Sequence, residues 1–135
     1  MEYQDILDKA FKAMENAYAP YSNYYVGACV KTVDGNYFIG ANIENAAYSP
    51  SICGERNAIF AAYSNGYRKD DIESIAIVTN GTRVGTPCGV CRQVLSELIG
   101  PKTPIVLSNK KETKVMNITE LLPYSFSAED LHEKL

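Results

Sequence analysis

The run Val26-Gly27-Ala28-Cys29-Val30-Lys31-Thr32-Val33-Asp34-Gly35-Asn36-Tyr37-Phe38-Ile39-Gly40-Ala41-Asn42-Ile43-Glu44 sets the architecture. Residues 26–33 read as one strand and 36–44 as a second. Asp34-Gly35 between them is a strong hairpin signal, because both residue types accept the backbone angles of a tight turn. Upstream, Ile6, Leu7, Ala10, Phe11, Met14 and Ala17 recur at helical spacing and predict an amphipathic helix over 2–17, closed near Pro20. Downstream, residues 45–52 read as a loop, 53–63 as a helix and 72–79 as a buried strand. A Gly- and Thr-rich loop over 80–87 leads to a helix over 91–99, ended by Gly100-Pro101. Strands follow over 104–108 and 113–117, then a helical turn from Thr119 limited by Pro123. Ser127 is placed to cap a last short helix. The order helix, hairpin, helix, strand, helix, strand, strand predicts an α/β fold: a mixed sheet with crossovers after the hairpin and helices on both faces.

Composition narrows the function. A chain of 135 residues fits one domain, 1–135, and can bury a core without staples. Apolar residues make up 46 % and charged residues 21 %, ordinary values for a globular protein. A formal net charge of -3 without basic clusters argues against a nucleic-acid partner. No apolar run reaches membrane-spanning length, and Met1-Glu2-Tyr3-Gln4-Asp5 lacks the basic start of a signal peptide. The expectation is a cytoplasmic protein, in which four cysteines serve as ligands, catalytic groups or core rather than disulfides.

Two cysteine-bearing segments carry the chemistry: Cys53-Gly54-Glu55-Arg56 and Pro87-Cys88-Gly89-Val90-Cys91-Arg92-Gln93. Each follows a loop and opens a predicted helix. Unpaired N–H groups and the helix dipole favour thiolates there, the form that binds zinc. Cys88 and Cys91 are three apart, so both reach one face. With Cys53 they make three ligands and leave a fourth tetrahedral position for water, the catalytic zinc pattern. Cys29, mid-strand, reads as core, with a role as fourth ligand the alternative. His132, the only histidine, stands among charged residues and reads as a surface side chain. Glu55, two residues after a lone cysteine and followed downstream by Pro-Cys-x-x-Cys, matches the zinc deaminase pattern, in which the glutamate moves protons without binding metal.

Over nearly its whole length the chain resembles the small homotetrameric zinc-dependent cytidine deaminases. The likeness lies in Tyr18-Ala19-Pro20-Tyr21-Ser22, Val26-Gly27-Ala28, Asn42-Ile43-Glu44-Asn45-Ala46, both cysteine segments, and Glu120-Leu121-Leu122-Pro123 with Phe126 behind it. The resemblance implies a three-layer α/β/α sandwich around a five-stranded mixed sheet. It implies hydrolysis of cytidine or 2'-deoxycytidine to uridine or deoxyuridine and ammonia, a step of pyrimidine salvage. It further implies one zinc ion per chain on Cys53, Cys88 and Cys91, with Glu55 as proton shuttle. Asn42 and Glu44 would hold the ribose hydroxyls, Gly54 the base through its main chain, and Arg56 would donate to the cysteine sulfurs. Phe126 would stack on the pyrimidine and Tyr48 would approach a neighbouring subunit's site, so that a homotetramer shares its active sites. No membrane or polynucleotide partner is implied. Tyr24 lines the pocket where the family usually has Phe, Gly54 stands for the usual Ala, and Asn57 for the usual Thr. The rivals are a deaminase of a cytosine nucleoside antibiotic of the blasticidin S type, a structural zinc module that adds Cys29, and a redox dithiol on Cys88 and Cys91.

Overall fold

The computed structural model describes residues 2–132; the side chain of His132, and so its surface reading, lies outside what is described. Helix α1 spans Gln4–Met14, strands β1 and β2 span Val26–Thr32 and Tyr37–Ala41, and helix α2 spans Gly54–Ser64. Strand β3 (Ile72–Thr79), helix α3 (Gly89–Leu98), strands β4 (Ile105–Ser108) and β5 (Thr113–Met116), and short helices α4 (Ile118–Leu121) and α5 (Ala128–His132) complete the order. The five strands form one sheet in the order β2-β1-β3-β4-β5. β3 and β4 pair in parallel and the other neighbours antiparallel, so the sheet is mixed as expected.

The sheet is covered on both faces because its strands alternate between two apolar sets. Ala28, Val30, Ile75, Ile77, Ile105 and Leu107 join Ala58, Ile59 and Ala62 of α2, Leu95 of α3 and Ile99 just beyond it in one core. Cys29, Ala76, Val78 and Val106 point the other way, against Ile6, Leu7 and Ala10 of α1. This is the α/β/α sandwich. Gly40 makes the α2 layer possible: a Cβ there would lie 2.5 Å from the Ala58 nitrogen and 2.6 Å from the Gly54 oxygen.

The hairpin is present but both strands are shorter than the sequence predicts. Its turn occupies four residues, with the Gly35 N–H donating to the Thr32 oxygen and Gly35 at φ +86°. At the other end β2 stops at Ala41, and Ile43 makes only isolated bridges to Tyr18 and Ile52. The chain leaves the sheet there because the Asn42 side chain and Glu44 are drawn toward residues 21–26. No helix among the described residues is long and apolar enough to cross a membrane.

Candidate active site

Two helix starts converge at the carboxyl ends of β2 and β3. Cys53 is the N-cap of α2 and Cys88 the N-cap of α3, both in extended backbone and neither using its side chain as a cap. The thiols are therefore free to turn outward from the helix ends. Cys91, in the first turn of α3, is fully buried. The three sulfurs lie within 4.8 Å of one another, with Cys53 Sγ and Cys88 Sγ 3.7 Å apart. Tetrahedral zinc at its usual bond length to sulfur spaces two thiolates by about 3.8 Å. The donor set and its spacing therefore fit zinc. Cys29 does not belong to the cluster: it packs beneath α1, on the opposite face of the sheet, where burial pushes its thiol up to about 12.

The site is strongly polarised. The Cys53 thiol is drawn down, chiefly by the hydrogen bond from Cys91, with Arg56 and Cys88 contributing and burial opposing. The Cys91 thiol is raised by that same bond and by burial. Arg56 Nη2 donates to Cys53 Sγ at 3.5 Å. A guanidinium beside three thiols offsets the negative charge they gather as thiolates. Glu55 is only 5 % exposed, and burial is the main reason its carboxyl is pushed up to about 7. Burial thus favours the protonated carboxyl more than water does, the tuning that a proton-carrying glutamate needs.

These groups open into a cavity of about 780 Å³ lined by Cys53, Glu55, Arg56, Cys88, Asn42, Glu44, Tyr24 and Tyr48, among others. Asn42 and Glu44 reach the same space although β2 has ended before them. Each also holds the entry to β1. Asn42 Oδ1 accepts from the Val26 N–H at 2.9 Å, and its Nδ2 donates to the Tyr24 oxygen at 2.8 Å. Glu44 accepts from the Tyr21 and Ser22 N–H groups and from the Ser22 hydroxyl, which hold its carboxyl below the usual range. Tyr48 stands at the cavity's rim, 91 % exposed. Gly54 is buried in the first turn of α2 and is not among the lining residues. Phe126 is not brought to this cavity either: it is 58 % exposed, and its carbonyl accepts from Gln93 Nε2. Ser22, Thr79, Gly85 and Thr86 also line the space and were not singled out from the sequence. Ser22 falls within a motif that could have pointed to it; Thr79 ends an apolar strand and carried no signal.

Fold and site together define a class: an α/β protein with three thiols placed to hold a metal beside a buried carboxyl, at the floor of an open cavity. Comparison with known proteins makes it specific. Residues 1–107 match the cytidine and deoxycytidylate deaminase zinc-binding region. A cytidine deaminase of Halalkalibacterium halodurans is 43 % identical over 134 residues, spanning 98 % of this chain and 100 % of the relative. A probable cytidine deaminase of Dictyostelium discoideum is 35 % identical over 134 residues, 98 % of this chain and 89 % of the relative. The 1.6 Å crystal structure of cytidine deaminase from Burkholderia pseudomallei superposes with a TM-score of 0.89 at 42 % identity, covering 93 % of this chain and 100 % of that one. The chain belongs to the cytidine and deoxycytidylate deaminase family. It is a zinc-dependent hydrolase with hydrolytic deamination activity of the cytidine deaminase type.

Proposed function

We propose that this chain, as one domain, deaminates cytidine and 2'-deoxycytidine to uridine and deoxyuridine, with Cys53, Cys88 and Cys91 holding one zinc ion. The observation that carries the reading is the burial of Glu55 beside three convergent thiols, in the cavity that Asn42 and Glu44 also enter. When bound, the metal supplies Lewis-acid activation of water at neutral pH. Glu55 takes a proton from the attacking water and delivers it to ring N3, then serves the departing 4-amino group, which leaves as ammonia. Asn42 and Glu44 hold the ribose, and Tyr24 closes one wall. Arg56 tempers the charge of the thiolates.

The same reading includes a homotetramer in the cytoplasm with shared sites. Phe126 is exposed and absent from its own chain's cavity, and Tyr48 projects from the rim, so both are available to a neighbouring copy. A single small chain has difficulty closing over a nucleoside, and symmetric assembly supplies the missing wall. The test is direct. Purified protein with cytidine should lose the substrate's absorbance and release ammonia stoichiometrically; a zinc-loaded, folded protein inert toward both nucleosides would overturn the reading.

A further inference from the structure

The cavity has two walls that the sheet order keeps apart. Asn42 and Glu44 follow β2, and Glu55 lies in the first turn of α2, which packs on β2 and β1. Thr79 ends β3, and Gly85 and Cys88 follow it in the loop to α3. Strand β1 lies between β2 and β3. On the β3 side the end of the Tyr24 ring rests on two glycines. A Cβ built on Gly85 would collide with the Tyr24 hydroxyl and sit 3.4 Å from Thr79 Oγ1. One built on Gly81 would sit 3.4 Å from Tyr24 Cε1 and 3.8 Å from Thr79 Oγ1. Two hydroxyls thus share one glycine platform. Thr79 is 3 % exposed, lines the cavity, and its Oγ1 has no hydrogen-bond partner among the described residues. A buried hydroxyl left unpaired costs stability and is tolerated where a ligand or water completes it.

We infer that Tyr24 and Thr79 form a polar wall that determines specificity at the C5 edge of the pyrimidine, favouring a hydrogen-bonding substituent there over an apolar one of similar size. The inference rests on the proposed nucleoside deamination. With Glu55 serving ring N3 from the β2 side, the C5–C6 edge lies across the ring and faces the β3 wall. Plain cytidine offers only C–H groups to that wall and leaves Thr79 unpaired. A hydroxymethyl group at C5 can pair with it, whereas a methyl group cannot.

The test assays the zinc-loaded protein on cytidine, 5-methylcytidine and 5-hydroxymethylcytidine. Turnover of cytidine checks the underlying reading independently. The inference is read from the ratio of kcat/KM for the hydroxymethyl over the methyl nucleoside. That ratio should exceed one in the wild type and fall about 3- to 10-fold in both Thr79→Val and Tyr24→Phe, the worth of one hydrogen bond. Thr79→Ser should retain it. Thr79→Val should also melt no lower than wild type, since it removes an unpaired buried hydroxyl; if that variant does not fold, Thr79→Ala gives the same reading. A threonine needed only for structure would change stability and leave the ratio alone. A ratio at or below one in the wild type, an unchanged ratio in either variant, or exclusion of both C5-substituted nucleosides by an enzyme active on cytidine overturns the inference.

Discussion

Asn42 Oδ1 accepts a hydrogen bond from the Val26 N–H at 2.9 Å, tying the residue after β2 to the first residue of β1. The same side chain donates to the Tyr24 oxygen. It is buried, and the bond to Val26 is made away from water. Asn42→Ala therefore removes a proposed ribose contact and leaves two backbone groups short of a partner. The expected cost is about 1–3 kcal/mol of stability, together with a raised KM for cytidine. Thermal melting and steady-state kinetics on one preparation check both. Unchanged melting would mean that the loop holds without this side chain.

The metal assignment separates the four cysteines. Cys53→Ala should lose most of its zinc and its turnover, because two thiols remain of three. Cys29→Ala removes a sulfur from the layer under α1 and should keep full zinc. Elemental analysis of both proteins decides. Full zinc in Cys53→Ala, or lost zinc in a folded Cys29→Ala, contradicts the ligand set.

Asp5 contributes to acid stability far from the site. The Tyr37 hydroxyl donates to Asp5 at 2.6 Å and Lys31 Nζ lies 3.1 Å from it, holding the Asp5 carboxyl down at about 2 against an ordinary 3.8. A carboxylate depressed in the folded state stabilises fully above the ordinary value and loses its contribution as pH falls toward about 2. Asp5→Asn should therefore melt lower than wild type at pH 7, with the gap closing between about pH 4 and pH 2. The effect is modest because the carboxylate is partly exposed. A gap independent of pH would assign it to packing instead.

Shared sites predict complementation. Glu55→Gln chains and Phe126→Ala chains should each be nearly inactive when pure. Co-expressed, they should regain activity, since some sites then combine an intact Glu55 from one chain with an intact Phe126 from another. Demonstrably mixed oligomers that stay at the level of the single mutants would place each site within one chain.

Much of this was legible in the sequence because it rests on local signals. The strand over Ile72–Thr79 announced itself as an apolar run, and Cys53 and Cys88 as residues that open helices. A mixed sheet with helices on both faces followed from the order of elements. What was not legible depends on long-range contacts. The early end of β2 at Ala41 arises from bonds that Asn42 and Glu44 make to residues 21–26, and nothing in 36–44 alone encodes them. Thr79 looked like one more strand residue; only its place at the cavity, beside Gly85 and Tyr24, distinguishes it. The roles of Asn42, Glu44, Tyr48 and Phe126 came from resemblance rather than from pattern. Their exposure and partners support two different settings, a pinned loop for the first pair and a free surface for the second.

The most direct measurement is the rate of cytidine deamination by Glu55→Gln, made on protein whose zinc content and melting temperature are determined in parallel. The amide keeps the shape of the buried side chain but cannot carry a proton. The expected result is zinc at one per chain, melting no lower than wild type, and turnover reduced by at least about 10⁴-fold, the upper end for a general acid–base group, because one carboxyl serves several transfers. A folded, zinc-loaded Glu55→Gln protein within tenfold of the wild-type rate would contradict the account at its centre.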